Sequence, residues 1–395
     1  MVTELQPISQ KEIVLAGGGH AHVHVLMAFA ARPEPGVRIT LISRGPLMPY
    51  SGMLPGVIAG LYAAEEAHVD LRQLAAETGA TFVEAEVVGL DRIQKRVVLA
   101  EGRSVSYDLL SLDVGISPEL AGIDGAAEHA IAVKPIGAFL QKLDTLLARC
   151  RHADGSRRIT VIGGGAGGVE LLLSLRTRIL LEAETAGMDP DTFSFALATE
   201  GEILRTHNRS VRSAFRRIFA ERGITLQEHS AVMRVRPGHV ELKNGANISS
   251  DEVLITTGAA APAWFRATGL ALDDAGFLAT APTLQVLNDR DVFAAGDCAT
   301  LVESPREKAG VFAVRAGPPL ARNLRRHARG KNLRPWRPQR RHLAIISTGE
   351  RYGIASRGRF KTEGAWVWRV KDWIDRRWMQ QYPRPQNGSP GKLLP

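Results

Sequence analysis

Cysteine is nearly absent from this chain of 395 residues: Cys150 and Cys298 are its only two. That is too few for a disulfide framework or a cysteine-rich metal site, and it fits a reducing compartment. Long apolar runs are missing too. No stretch approaches the roughly 18–20 uninterrupted apolar residues that a membrane-spanning helix needs, so an integral membrane protein is not expected. The opening MVTELQPISQKE holds no apolar core of a secretory signal. Low-complexity sequence is confined to the end, where Pro, Asn, Gly and Ser from Pro383 onward predict a flexible tail over 381–395. Acidic side chains are scarce in one region only. Residues 303–395 carry 22 lysines and arginines against 6 acids, whereas residues 1–302 carry 28 against 35. A mildly acidic body with a strongly basic end fits an anionic surface, lipid headgroups or nucleic acid, or a plain solvated face.

The remaining composition, 45% hydrophobic and 23% charged, is that of a globular protein long enough for two or three cores. Two glycine-rich turns, each after a short apolar strand, divide it. The first follows Ile13–Ala16 and reads Gly17-Gly18-Gly19-His20-Ala21-His22. The second follows Ile159–Ile162 and reads Gly163-Gly164-Gly165-Ala166-Gly167-Gly168. In such a turn the first glycine makes the bend, the second lets backbone approach a pyrophosphate, and the third lets helix pack on strand. The phosphates then sit on the helix N-terminus. One turn alone is weak evidence. Two, with matching segments after each, point to a protein holding FAD and a nicotinamide nucleotide together.

Each turn opens a similar unit. In the first, strands are expected at 12–16 and 37–43, β-rich stretches near 81–90 and 95–100, and a closing strand ending at Gly115. In the second they fall at 158–162 and 193–199, with a closing strand ending at Gly258. A buried strand, Asp291–Ala295, then runs into Gly296-Asp297, followed by a helix from about 310 to 326. The alternation predicts an α/β fold of two Rossmann-like dinucleotide-binding domains plus a small C-terminal helical segment. The expected division gives 11–125 with 270–330 to FAD, 126–262 to NAD(P)H, and 335–380 to the C-terminal segment.

The order of these segments resembles the pyridine nucleotide-disulfide oxidoreductase superfamily and, within it, the type II NADH dehydrogenases. A closer similarity is to the oxidoreductase module fused in front of selenophosphate synthetase in some bacteria. It rests on the stretches Gly17–Leu26, Pro49–Gly56, Lys308–Arg315 and Ala365–Arg377. The resemblance implies an FAD-dependent NAD(P)H dehydrogenase that passes hydride to flavin and electrons on to an acceptor, a membrane quinone being one candidate. A redox partner in selenium metabolism, or an FAD-binding sensor with little turnover, are the alternatives. Three departures stand out. His22 replaces the third glycine, Arg44 follows Ser43 where an acid would bond a ribose, and Gly310–Arg315 lacks both glutamines of the AQxAxQ quinone motif.

The residues expected to hold FAD are Gly17, Gly18, Gly19, His20, Ala21, Arg44, Gly115, Gly296 and Asp297. Those expected to hold NADH or NADPH are Gly163, Gly165, Ala166, Gly168, Glu200 and Gly258. Asp297 serves the FAD ribityl and phosphate region by resemblance, or simply caps a helix. Glu170 is the catalytic candidate: the resemblance sets it near the reacting rings, while an acid in a helix's first turn also suits the dipole. Glu200 would bond the ribose of NADH, but Arg205 nearby would equally meet a 2′-phosphate. His20 and His24 lie one helical turn apart without a partner ligand at suitable spacing, so no metal is expected. Neither cysteine has a near partner for thiol chemistry.

The segment Ala365–Gln380 places Trp366, Val367, Val370, Trp373, Ile374 and Trp378 on one helical face, flanked by Arg369, Lys371, Arg376 and Arg377. That helix would lie in an anionic membrane interface, or pack on the FAD domain or across a homodimer. The charge excess favours the membrane, and no nucleic-acid-binding module accompanies it. The expected location is cytoplasmic, peripheral on the membrane face.

Overall fold

The computed structural model describes residues 10–116, 120, 122–151 and 155–385. The N-terminal 1–9 and most of the tail, 386–395, therefore lie outside the described residues. The first unit comprises strand Lys11–Ala16 (β1), helix His20–Ala31 (α1) and strands Val37–Ser43 (β2), Thr81–Glu84 (β3) and Leu109–Leu112 (β4). The second comprises strand Ile131–Ala132 (β5), helix Ile136–Arg151 (α2), strand Arg157–Ile162 (β6), helix Ala166–Thr185 (α3) and strands Phe193–Ala198 (β7), Thr225–Gln227 (β8) and Glu252–Ile255 (β9). The chain then returns through strand Val292–Ala294 (β10) and helix Gly310–Ala328 (α4). It ends in strands Ala344–Ser347 (β11), Gly353–Arg357 (β12) and Phe360–Gly364 (β13) and helix Ala365–Met379 (α5).

Two five-stranded sheets result, ordered β10-β4-β1-β2-β3 and β5-β9-β6-β7-β8, with every pair parallel. Parallel strands are covered on both faces and so read as continuous apolar runs: Ile13–Ala16 and Leu109–Leu112 are buried throughout. The two sheets share one order, but their fifth strand comes from different places. The first borrows β10 from beyond the second unit, while the second uses β5 just ahead of it. In each unit a three-stranded antiparallel meander precedes the closing strand, at 87–106 and at 232–249.

Gly17 and Gly163 turn with φ of +105° and +123°, which only glycine adopts readily. A Cβ on Gly17 would overlap the Asp113 carbonyl oxygen, and one on Gly163 the Thr256 hydroxyl. At the third glycine position the units differ. In the second, Gly168 leaves no room: a Cβ there would overlap the Gly163 carbonyl. In the first, His22 makes that contact with its ring, Nδ1 lying 2.6 Å from the Gly17 carbonyl and Nε2 2.8 Å from Ser111 Oγ. Burial lowers the His22 pKa to about 4, so the ring is neutral. A carbonyl only accepts, so Nδ1 carries the proton and Ser111 donates to Nε2.

The C-terminal segment contains more than a helix. Its antiparallel sheet β11-β12-β13 supports α5, which leans on the first unit. The expected aromatic stripe is divided between two sides. Val367, Trp368 and Met379 are buried and Trp378 is half-buried, whereas Trp366, Val370, Trp373 and Ile374 face outward. A spacing of 3, 4 and 7 admits either arrangement; the charged residues Lys371 and Asp375 turn inward and set the rotation.

Replacing His22 with Ala strands the Gly17 carbonyl and the Ser111 hydroxyl in the core. The expected loss of stability is about 2–4 kcal/mol in urea denaturation, while His22→Gly leaves the same groups unpaired and gives no rescue.

Candidate functional site

The first glycine turn delivers the chain to the N-terminus of α1, where amide donors and the helix dipole face outward. Gly18 lies against Leu71 and Ser43 so closely that a side chain would collide, and Gly19 lies against the Asp113 carboxyl. Ala21 is the second residue of α1, and its amide donates to Asp113 Oδ2 at 2.9 Å. Gly115 follows β4 and Gly296 follows β10, both at positive φ. Asp297 sits on the turn after β10 and pairs with Lys134 at 3.0 Å, bridging the two units. Arg44 stands just past β2 but meets Glu86 at 3.7 Å in an exposed pair.

His20 is the member of this group that most clearly awaits a ligand. Its Nε2 is buried without a hydrogen-bond partner among the described residues. Burial pulls its pKa down to about 4, against the pull of Asp297. Tyr50 and Trp378 each hold a ring centroid 5.7 Å from it and stack on one another at 4.2 Å. A glycine cradle, an orphaned buried ring nitrogen and a nearby acid fit a dinucleotide.

The second turn is built alike. Gly164 lies against Thr199, whereas a Cβ on Gly165 would meet nothing, so this position is open to an approaching ligand. Ala166 starts α3, and Gly258 turns the chain after β9. Glu200 is exposed two residues beyond β7, at the strand's C-terminal end, with Arg205 also exposed. These residues surround one helix N-terminus; Arg44 is the expected residue most engaged elsewhere.

Glu170 lies one turn into α3, where Ser347 at the end of β11 donates its amide to Oε1 at 2.7 Å. Burial raises the Glu170 pKa to about 7, opposed by Lys371 and the Ser347 amide. Lys371 pairs with Asp375 at 2.6 Å and donates to the Gly52 carbonyl at 2.5 Å. Tyr50 donates to Asp375 Oδ1 at 3.2 Å. A series of neighbours thus runs between the two cradles: the Lys371 charge acts on Glu170, Lys371 pairs with Asp375, Asp375 accepts from Tyr50, and the Tyr50 ring packs near that of His20. Asp113, Lys134, Tyr50 and Asp375 were not expected at the site, and Lys371 was expected only as a basic flank of the C-terminal helix. Asp113 alone carried a signal, an acid directly after four buried apolar-strand positions.

Cys298 donates weakly to the Ala295 carbonyl at 3.2 Å, and burial pushes its thiol up to about 12. Cys150 belongs to the other unit's core, and burial pushes it up to about 11. The two do not pair.

Two glycine cradles, each at a helix N-terminus behind a parallel strand, are the framework of a class, the oxidoreductases that hold two dinucleotides. The family described as "Pyridine nucleotide-disulphide oxidoreductase" matches residues 11–328, and the chain belongs to it. Within the family it is NADH dehydrogenase-like, an enzyme of the NAD(P)H dehydrogenase kind. It is 24% identical over 303 residues to the NADH dehydrogenase-like protein YutJ of Bacillus subtilis, covering 75% of this chain and 78% of that one. It is 22% identical to the type II NADH:quinone oxidoreductase of Haemophilus influenzae, covering 74% of each. Its fold is that of the sulfide:quinone oxidoreductase of Aquifex aeolicus, with a TM-score of 0.79 at 19% identity over 94% of this chain and 91% of that one.

An acid whose pKa rises from 4.5 to about 7 on folding is neutral in the native state at low pH. Its penalty is absent below about 4.5, grows as pH rises, and is complete above about 7. Glu170→Gln keeps the acceptor for Ser347 and removes the charge. It is expected to stabilise by up to about 3 kcal/mol at pH 8 relative to its effect at pH 4.5, read from urea denaturation at the two pH values.

Proposed function

We propose that the protein is an FAD-dependent NAD(P)H dehydrogenase, with FAD on the first unit (11–125 and 270–330) and NAD(P)H on the second (126–262). The observation that carries this reading is the pair of glycine cradles connected through Glu170, Lys371, Asp375, Tyr50 and His20. When bound, the flavin and the nicotinamide supply the hydride chemistry themselves. The protein's part is to bind, orient and exclude water.

Gly17–Gly19 and the α1 N-terminus would hold the FAD pyrophosphate, with His20, Ala21, Gly115, Gly296 and Asp297 around it. Gly163, Gly165, Ala166 and Gly168 would hold the second pyrophosphate on α3, with Gly258 at the neighbouring strand end. Glu200 would take the ribose hydroxyls, a reading that favours NADH. Glu170, titrating near neutrality, would orient the nicotinamide or hold a proton at Oε1. Trp378 and Tyr50 wall the space from solvent.

A quinone is the proposed acceptor, on the strength of the Haemophilus relative's name. The chain's own helix α4 begins without glutamines, yet Phe312 and Trp336 line a small cavity of about 60 Å³ beside Asp297. Quinones are membrane-borne, and the outward side of α5 offers a means to reach them. Trp366 and Trp373 are 56% and 61% exposed, and Val370 and Ile374 on the same helix are exposed as well. Arg369 and Arg377 stand exposed alongside, and Arg377 lies over the Trp373 ring at 5.6 Å. Such a face suits an anionic membrane interface. No helix among the described residues is long and apolar enough to cross a membrane.

Anaerobic titration tests the first claim. NADH should bleach the flavin band at about one equivalent per protein. Gly165→Leu should retain flavin but lose that bleaching, since a side chain there meets only the nucleotide's space. Retained bleaching would overturn the assignment of the second unit.

Vesicle sedimentation tests the second claim. Trp366→Ser with Trp373→Ser should cut binding to phosphatidylglycerol vesicles at least severalfold and leave Tm within about 1 °C, both side chains being exposed. Equal binding by variant and wild type would remove α5 as the contact.

A further inference from the structure

The two units differ at one position that bears directly on phosphate binding. The residue after each closing strand donates its amide to the end of the first strand: Asp113 to the Ala16 carbonyl and Thr256 to the Ile162 carbonyl, both at 2.9 Å. Asp113 and Thr256 are therefore structural equivalents, as Gly17 and Gly163 are. Thr256 turns its hydroxyl back to the Ile162 carbonyl at 3.1 Å, leaving the α3 N-terminus without a charged cap. Asp113 instead sends its carboxyl under the first glycine turn. It presses on the positions where Gly19 and Gly296 would carry a side chain, and accepts from the Ala21 amide at 2.9 Å.

We propose that Asp113 is a proton-holding cofactor-binding residue: it must be neutral, its carboxyl bearing a proton, for the first unit to hold the FAD pyrophosphate firmly. An ionised Asp113 would set a negative charge at the helix end that attracts anions, 4% exposed, where water screens it little. A neutral one removes that charge and leaves the field of α1 to the phosphates. The inference rests on FAD occupying the first unit.

The charged groups facing Asp113 agree. Asp297, on the turn after β10, raises its pKa, while the Ala21 and His22 amides lower it. Desolvation exceeds all of these and sets it at about 7, so the proton is held in the physiological range even before a phosphate adds its repulsion. Lys134 is occupied by Asp297. His20 and His22 have pKa values near 4 and the neighbouring Cys298 near 12, so none of these changes charge between pH 6 and 9.

The test dilutes the holoenzyme to nanomolar concentration from pH 6 to pH 9 and reads FAD release by flavin fluorescence. Wild type should release FAD increasingly above pH 7, its apparent Kd rising toward about tenfold per pH unit as one proton is lost. Asp113→Asn should hold FAD with less than about twofold change over the same range. Asp113→Thr, the second unit's own choice, provides a second variant should Asn at this buried site fail to fold, and should be equally flat. Parallel profiles in wild type and either variant would overturn the proposal. Purified protein without flavin would instead sink the assignment of FAD to the first unit, so the two failures are distinguishable.

Discussion

Everything at the site depends on how closely each closing strand approaches its glycine turn. β4 and β9 run beside β1 and β6 so that the residues after them, Asp113 and Thr256, lie where a side chain at Gly17 or Gly163 would be. That approach aims the N-terminus of α1 or α3 across the sheet edge, where a helix end favours an anion, although in α1 the Ala21 amide is already bonded to Asp113. Where the contact is altered, compensation follows: His22 takes the place of a glycine and bonds the carbonyl that Gly168 approaches in the other unit. The small Ser111 donates its hydroxyl to the far ring nitrogen, Nε2.

The C-terminal segment closes what the two units leave open. Ser347 caps Glu170, and α5 brings Lys371, Asp375 and Trp378 to Gly52, Tyr50 and His20. Exposed ion pairs elsewhere contribute little to stability. Lys371 and Asp375 differ, with side chains only 14% and 6% exposed. Buried pairs are weak evidence of stability but strong constraints on geometry, and this one sets which side of α5 turns inward. The same rotation leaves Trp366 and Trp373 outside. Closing the site and presenting an apolar surface are thus two consequences of one helix orientation.

Two acids with pKa values near 7, Glu170 and Asp113, stand one at each helix N-terminal region. Burial is the leading cause for both. A carboxylate near an anion-binding helix end is unfavourable unless it can hold a proton, and both positions meet that condition because burial disfavours the charged form, at Glu170 against the opposing charge of Lys371. Charge at both helix ends is consequently adjustable near neutral pH.

The sequence by itself determined the elements and their order. Continuous apolar runs marked the parallel strands, the two glycine turns marked the helix starts, and the repeat of both marked two units, because these signals are local and set by backbone sterics and hydrophobic period. It did not show the sheet over 344–364, whose short strands lack a strong alternation, nor the rotation of α5. Only the tertiary structure decided which side of the Trp-rich helix is covered, that Asp113 lies beneath the first turn, and that Tyr50, Lys371 and Asp375 connect Glu170 to His20. These are contacts between residues up to 325 positions apart in the chain. Their partners are chosen by packing geometry and desolvation, which no local pattern encodes.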